Sequence, residues 1–271
     1  MNRALVGCRG IESATMLLIG LSLASCSVER VEAGATADRD GRLYAHASGQ
    51  PYTGIVVTRF DGSDQVQRED RYREGIRQGR ATVYYPDGMR AVEAFYRNGQ
   101  LDGTRTEWHE TGARRREESF LAGERHGVVR EWVESGQMVL ERTMKDGVAD
   151  GPARTWYASG AKKAEFAYGN GSLEGEYLEW YENGQQKIQR SYRDGYAHGP
   201  AKEWYETGQL TSDGSWSAGE PDGPYTQWHP NGRKAAEGTY RSGEPIELKL
   251  WDENGHPLPG VESPVSSRDG S

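Results

Sequence analysis

The sequence repeats itself every 24 residues through most of its length. One glycine column comprises Gly79, Gly103, Gly127, Gly151, Gly175, Gly199 and Gly223. A tryptophan column with the same step comprises Trp108, Trp132, Trp156, Trp180, Trp204 and Trp228. A fixed period of this length is typical of a repeat array, in which each copy packs against its neighbours instead of around one central core.

Each copy is predicted to form two strands and two tight turns. Short polar residues precede two further glycine columns, as in Asn183-Gly184 and Asp194-Gly195. This pairing is typical of hairpins, because glycine adopts positive φ at little cost. A 24-residue copy leaves no room for a useful helix, and prolines such as Pro200 at strand starts disfavour one. We therefore expect an all-β fold, an elongated antiparallel sheet of tandem β-hairpins.

Charge patterning suggests a register for the hairpins. A three-residue loop at 182–184, with its glycine in a bulge, places Glu107 opposite Arg115 and Glu179 opposite Lys187. A loop two residues shorter would place glutamates opposite each other, which is unfavourable.

In this register, strand alternation puts the tryptophan column on the same face as a second aromatic column. That second column comprises Tyr96, Phe120, Tyr168, Tyr192, Trp216 and Tyr240, with Met144 as the exception. The opposite face is expected to carry Glu93, Glu117, Glu141 and Glu165 together with Tyr157, Tyr181, Tyr205, His109 and His229.

Composition excludes several classes of function. The chain has 35% hydrophobic residues, which is low for a large layered enzyme core, yet its 10% aromatic content argues against disorder. Its net charge of −8 offers no basic surface to a phosphate backbone, so nucleic-acid binding is not expected.

The first 26 residues have the pattern of a secretion signal with an anchor. Arg3 and Arg9 precede an apolar run at 14–24 that is too short to span a bilayer. The run ends in Leu23-Ala24-Ser25-Cys26, which resembles a bacterial lipobox and implies cleavage before Cys26 and acylation of that cysteine. In a lipoprotein of a Gram-negative bacterium, Ser27 at the next position implies sorting to the outer membrane.

The chain thus divides into four parts by composition and period. They are a signal peptide at 1–25, an acylated cysteine and flexible tether at 26–41, the repeat array at 42–258, and a disordered tail at 259–271. Pro51 and Pro257 are expected to blunt the end strands of the array, since proline cannot donate a backbone hydrogen bond.

The repeat columns resemble the MORN repeat (membrane occupation and recognition nexus) in its bacterial variant. The segment at 175–184, GEYLEWYENG, followed by YRDG at 192–195, is similar to that variant's consensus. The resemblance implies an elongated sheet of successive hairpins. Some members of the family scaffold proteins, some are proposed to bind lipids, and some bacterial members look like antitoxins. It therefore implies binding without naming a ligand.

Catalysis and metal binding are not expected. His126 and His198 share a column with acidic residues, but neighbours in a column lie about 10 Å apart by strand spacing, too far for shared metal ligation. Nucleophile, phosphate-binding and zinc-protease motifs do not occur in the sequence. We therefore predict no catalytic residue, no metal and no cofactor.

Aromatic columns are the candidate binding residues. They comprise Trp108, Trp132, Trp156, Trp180, Trp204 and Trp228, with Tyr157, Tyr181 and Tyr205 on the opposite face. The tryptophans fit two interpretations, as the core of the repeats or as an exposed ladder for sugars, peptides or lipids. The sequence leaves both open.

The sequence as a whole favours a non-catalytic, lipid-anchored envelope protein whose repeats bind or scaffold another envelope protein. An acidic repeat face would be repelled by anionic headgroups, which weighs against lipid binding by the repeats. One alternative is an antitoxin or immunity protein that neutralises a partner toxin. Another is an envelope hydrolase acting through carboxylates, although no cleft is indicated.

Overall fold

The computed structural model describes residues 28–262, and within them the chain is almost entirely β-structure. The strands are β1 (Arg30–Glu32), β2 (Thr36–Arg39), β3 (Arg42–Ala45), β4 (Gly54–Arg59), β5 (Val66–Arg73), β6 (Ile76–Tyr84), β7 (Arg90–Arg97), β8 (Gln100–Trp108), β9 (Arg114–Leu121), β10 (Glu124–Arg125), β11 (Gly127–Trp132), β12 (Met138–Lys145), β13 (Val148–Trp156), β14 (Lys162–Gly169), β15 (Ser172–Leu173), β16 (Gly175–Trp180), β17 (Gln186–Arg193), β18 (Tyr196–Trp204), β19 (Leu210–Ser217), β20 (Glu220–Trp228), β21 (Lys234–Arg241), β22 (Glu244–Trp251) and β23 (Pro257–Glu262). The predicted all-β fold of tandem hairpins is confirmed. The lipobox and the end of the predicted tail lie outside the described residues.

The sheet contains 21 of these strands, and successive strands of the repeats pair antiparallel. Only β1 departs from this pattern among the described strands, because it runs parallel to β4. Strands β2 and β3 form a separate two-stranded hairpin. The stretch expected to be a flexible tether, 26–41, therefore contains ordered strands. One of them, β1, covers the edge of β4. Strand β23 likewise extends the ordered array into the predicted tail.

The predicted three-residue loop is present in the hairpin turns. The backbone N–H of Tyr181 donates to the carbonyl of Gln185 at 2.8 Å, which closes the loop over 182–184. Gly184 has φ of 85°, the left-handed region in which glycine is favoured.

Beyond this loop, the predicted register is wrong by one residue. Glu179 pairs with Ile188 and not with Lys187, because a β-bulge between Glu179 and Trp180 inserts one more residue. The same shift pairs Glu107 with Arg116 in place of Arg115.

The shift also corrects the predicted faces of the sheet. Tyr192 pairs with Gly175, so alternation along β16 puts Trp180 on the opposite face from Tyr192. The ammonium of Lys162 confirms this placement, since it lies 3.1 Å from the carboxylate of Glu165 and 5.0 Å from the ring centre of Trp180. The tryptophans therefore share a face with the Glu165 column, and the second aromatic column lies on the other face.

Most buried residues lie on the face of the second aromatic column, which we call the packed face. Its buried apolar side chains are Val56, Ala81, Ala94, Val129, Met144, Ala153, Ala164, Ala197, Ala201 and Ala236. Long neighbours cover these small residues: Ala153, only 1% exposed, pairs with Arg142 on one side and Phe166 on the other. The core is thus a stripe across the strands, as expected for an array stabilised by neighbouring copies.

The opposite face, which we call the ladder face, carries a chain of ion pairs. Arg130 bonds to Glu141 at 2.8 Å and to Glu117 at 3.3 Å, and Arg154 bonds to Glu165 at 2.9 Å. These groups are partly exposed, so each pair contributes little to stability. Their regular spacing nevertheless neutralises the acidic column.

Prolines blunt the C-terminal edge of the sheet. The carbonyl of His256 accepts from the N–H of Asp252 within the last hairpin, so the peptide nitrogen of Pro257 faces outward. Alternation gives Pro259 the same direction. Two outward positions of β23 thus lack the donor that another strand would use. Pro51, by contrast, forms an isolated bridge with Tyr44 outside the end strand.

Candidate functional site

Tyrosine hydroxyls join each copy to the next. The hydroxyl of Tyr157 donates to the carbonyl of Trp180 at 2.9 Å, and those of Tyr181 and Tyr205 donate to Trp204 and Trp228 at 2.9 Å and 3.0 Å. Tyr85 makes the same bond to Trp108. These partly buried rings, which were expected to be open for binding, act as links between copies.

Two histidines take the place of tyrosine in this linking column. Nε2 of His109 lies 3.1 Å from the carbonyl of Trp132, and Nε2 of His229 lies 2.9 Å from that of Trp251. Each histidine thus makes the contact of the tyrosine it replaces. Val133 occupies the remaining position of the column and makes no such bond.

Removing one linking hydroxyl is expected to destabilise the array modestly. Tyr181→Phe leaves the ring in place but deletes the hydrogen bond to Trp204, so the free energy of unfolding is expected to fall by about 1 kcal/mol. Urea denaturation followed by tryptophan fluorescence measures the difference.

The reciprocal variant is Val133→Tyr, which supplies the missing hydroxyl opposite the carbonyl of Trp156. It is expected to raise stability by about 0.5–1 kcal/mol. If both variants leave the denaturation curve unchanged, the column does not link the copies energetically.

The six tryptophans of the candidate binding set are partly buried on the ladder face. Cations cover some of them: the guanidinium of Arg90 lies 5.0 Å from the ring centre of Trp108, and Lys162 is placed likewise over Trp180. Such contacts stabilise by about 0.5–1 kcal/mol at exposed sites. The tryptophans combine packing with partial exposure, and their role in binding stays a prediction.

The N-terminal half of the packed face is charged. The carboxylate of Glu118, with 2% of its side chain exposed, accepts hydrogen bonds from Arg125 at 2.7 Å and Arg105 at 3.2 Å, and it lies 2.9 Å from the guanidinium of Arg116. Burial alone would raise the pKa of Glu118, but the Arg125 hydrogen bond and the three positive charges outweigh it, so the pKa is lowered. The group therefore stays ionised and holds three strands together beside an open depression of about 590 Å³.

The C-terminal half of the packed face is aromatic. Its members are Phe166, Tyr168, Tyr177, Tyr192, Trp216, Tyr225 and Tyr240, which we call the aromatic run. Phe166 stacks on Tyr177 with ring centres 5.4 Å apart, and Tyr225 meets Tyr240 edge-on at 5.6 Å. Between these two groups, the guanidinium of Arg190 lies 5.3 Å from the ring centre of Trp216.

Sequence reasoning found only part of this run. Tyr168, Tyr192, Trp216 and Tyr240 belong to the second aromatic column, whereas Phe166, Tyr177 and Tyr225 were not singled out. Tyr177 and Tyr225 stand two residues after a repeat glycine, in a column otherwise occupied mainly by small residues. A tyrosine in a column of mainly small residues was the feature of the sequence that could have identified these two members of the run.

No group of three metal-ligating side chains comes together between residues 28 and 262. His126 lies 3.3 Å from Asp146, and both side chains are exposed. Over the same residues, no helix has the length and apolar character needed to cross a bilayer.

The fold and the surface together define a single-layer β-repeat array with one charged and one aromatic half on its packed face. The family model described as the MORN repeat variant matches four segments of the chain, residues 77–98, 173–194, 197–217 and 221–242. The resemblance inferred from the repeat columns is thereby supported at four of the copies.

No curated protein matches the chain. Choline binding protein F from Streptococcus pneumoniae is a similar solved structure, with 10% sequence identity over 83% of this chain and 92% of that chain. Its TM-score of 0.16 is too low for inferences about fold or ligand.

Proposed function

We propose that this protein is a non-catalytic, lipid-anchored protein of the cell envelope whose packed face binds another protein. The observation that carries the proposal is the aromatic run, which extends from β14 to β21 with its side chains only partly buried. Protein interfaces are enriched in tyrosine, tryptophan, phenylalanine and arginine, and these residues supply most of their binding energy.

The distribution of charge favours a protein over a membrane as the occupant. The chain is acidic, with a net charge of −8, and the arginines of the packed face are mostly paired with carboxylates of the same sheet. Anionic headgroups attract clusters of unpaired basic residues, which this face does not offer among its described residues.

Photo-crosslinking in intact cells tests the proposal. The crosslinking amino acid p-benzoylphenylalanine replaces Tyr192 on the packed face or, as the matched control, Arg154 on the ladder face. Detergent purification and mass spectrometry then identify the attached proteins. We expect one recurrent protein at position 192 and a much weaker product at position 154.

The identity of the captured protein separates the two binding roles. An envelope protein captured in near-stoichiometric amount supports scaffolding, whereas a toxin whose activity is blocked supports the antitoxin or immunity alternative. If position 192 captures no protein although the bait is recovered well, protein binding by the packed face is excluded.

The anchor is tested separately at Cys26, which lies outside the described residues. Cys26→Ala removes the thiol that the lipobox presents for acylation and is expected to release the protein from membranes into the soluble fraction. Membrane fractionation of cells measures this, with Cys8→Ala as the control that stays membrane-bound. A Cys26→Ala protein that still sediments with membranes contradicts the lipid anchor.

A further inference from the structure

Arg142 is a partly buried guanidinium without a partner, at the centre of the packed face. It pairs with Val129 on one strand and Ala153 on the next, and both of these side chains are almost fully buried. Between residues 28 and 262, no carboxylate lies within 4.0 Å of it, and its Nε, like those of Arg116 and Arg190, has no hydrogen-bond acceptor. A partly buried charge without a counterion lowers the stability of the folded protein.

The repeat pattern shows what Arg142 lacks. Arg190 occupies the same column two copies later, and its Nη2 donates to Glu203 at 2.6 Å. Glu203 lies thirteen residues beyond Arg190, and the residue thirteen beyond Arg142 is Thr155. The side chain of Thr155 carries no charge, so the carboxylate that neutralises Arg190 has no counterpart at Arg142.

Nearby carboxylates on the packed face are already bound to other arginines. Glu118 forms ion pairs with three arginines in the charged half, and Glu131 lies 3.6 Å from Arg116. Strand spacing puts Arg142 about 10 Å from Glu118, two strands away. In this arrangement both carboxylates therefore face arginines of the charged half and not Arg142.

The neighbours of Arg142 in the sheet include apolar side chains that mark the start of the aromatic run. Met144 is buried on the same strand, and Phe166 lies directly across Ala153 from Arg142. A ligand at this point would meet a positive charge and an aromatic ring about two strand spacings apart, roughly 10 Å.

We propose that Arg142 receives a carboxylate from the bound protein, an aspartate or glutamate whose apolar neighbour packs against Phe166. This inference rests on the proposed protein-binding function and adds the chemical groups by which the partner is recognised. The charge selects an acidic segment, and the aromatic run holds the apolar part of that segment. Arginine suits this role because two of its N–H groups can bond both oxygens of a carboxylate.

Thr155→Glu tests the proposal by supplying the missing carboxylate from within the sheet. It is expected to pair with Arg142 as Glu203 pairs with Arg190, to keep the melting temperature at or above that of the unmodified protein, and to weaken partner capture about tenfold or more. Thr155→Gln is the matched control, since it has nearly the same shape without the charge and is expected to retain capture. Arg142→Gln is expected to lose capture, and Arg130→Gln on the ladder face to retain it.

Peptide arrays that tile the captured protein identify the occupant. Copies in which each Asp and Glu is replaced by Asn or Gln are printed beside the originals. Binding that requires one acidic residue, and that Thr155→Glu abolishes, supports the proposal. Equal binding by acidic and neutral copies, or equal capture by Thr155→Glu and Thr155→Gln, overturns it while leaving the proposed function intact. Failure of every variant, including the unmodified protein, to capture any protein overturns both.

Discussion

Replacement of Glu118 by glutamine is expected to lower the free energy of unfolding by about 3 kcal/mol. The carboxylate is 2% exposed and forms ion pairs with Arg105, Arg116 and Arg125, so its loss leaves three positive charges close together. Urea denaturation at pH 7 measures the effect. Glu165→Gln on the ladder face is the matched control, expected to cost less than about 1 kcal/mol because its ion pairs are partly exposed.

The contribution of Glu118 is also expected to depend on pH in a defined direction. Its pKa is lowered in the folded protein, where the hydrogen bond from Arg125 and the neighbouring guanidinium charges outweigh the effect of burial. The unfolded chain protonates near the ordinary glutamate pKa of about 4.3. The stabilisation is therefore fully present above about pH 5 and is lost as the pH falls through the folded-state pKa.

The stability difference between the unmodified protein and Glu118→Gln is thus expected to shrink below about pH 4. Denaturation curves collected from pH 3 to pH 7 measure it. A difference that stays constant, or grows, on acidification would show that the carboxylate is not held ionised by its arginines.

Gly238→Ala is expected to destabilise the C-terminal end of the array by about 2–3 kcal/mol. Gly238 pairs with Leu248, and a Cβ at this position would collide with the carbonyl oxygen of Glu247 on the neighbouring strand. The obstacle is backbone, which cannot rotate away as a side chain could. Strands β21 and β22 would have to separate locally.

Hydrogen exchange measured by mass spectrometry locates this effect. In Gly238→Ala, protection is expected to fall in β21–β23 and to be retained in β12–β18, because repeat arrays lose stability through neighbouring contacts. Gly34→Ala is the control, since no atom lies within 4 Å of its added Cβ. Uniform loss of protection along the chain would instead indicate one cooperative unit.

The period predicted the architecture because every copy obeys the same turn chemistry. Glycine after a short polar residue located the loops, and Gly184 has the positive φ that this pattern requires. The bulge beside Trp180 adds one residue to the pairing without requiring a particular residue type at the turn. The sequence pattern therefore did not reveal it. That single residue moved the tryptophans to the other face, since side chains alternate along a strand.

The charged and aromatic halves of the packed face were harder to predict than the fold, because they arise from residues that differ between copies of the repeat. Tyr177 occupies the column of Ala153, in which most copies have a small residue. Thr155 occupies the column of Glu203 but carries no charge. Neither difference carries meaning until the register shows which residues face each other. The linking tyrosines were likewise recognised as a column. Their hydroxyl groups, however, bond to tryptophan carbonyls 23 residues further along the chain, and these contacts appear only in the folded sheet.

The prolines of β23 have a consequence for the size of the molecule. A single-layer sheet that accepted strands at its ends could join to further copies of itself without limit, as fibres do. Pro257 and Pro259 withhold two of the outward donors at one end, and the three-residue β1 covers β4 at the other. Both described ends of the sheet therefore offer few backbone groups to which a further strand could bond.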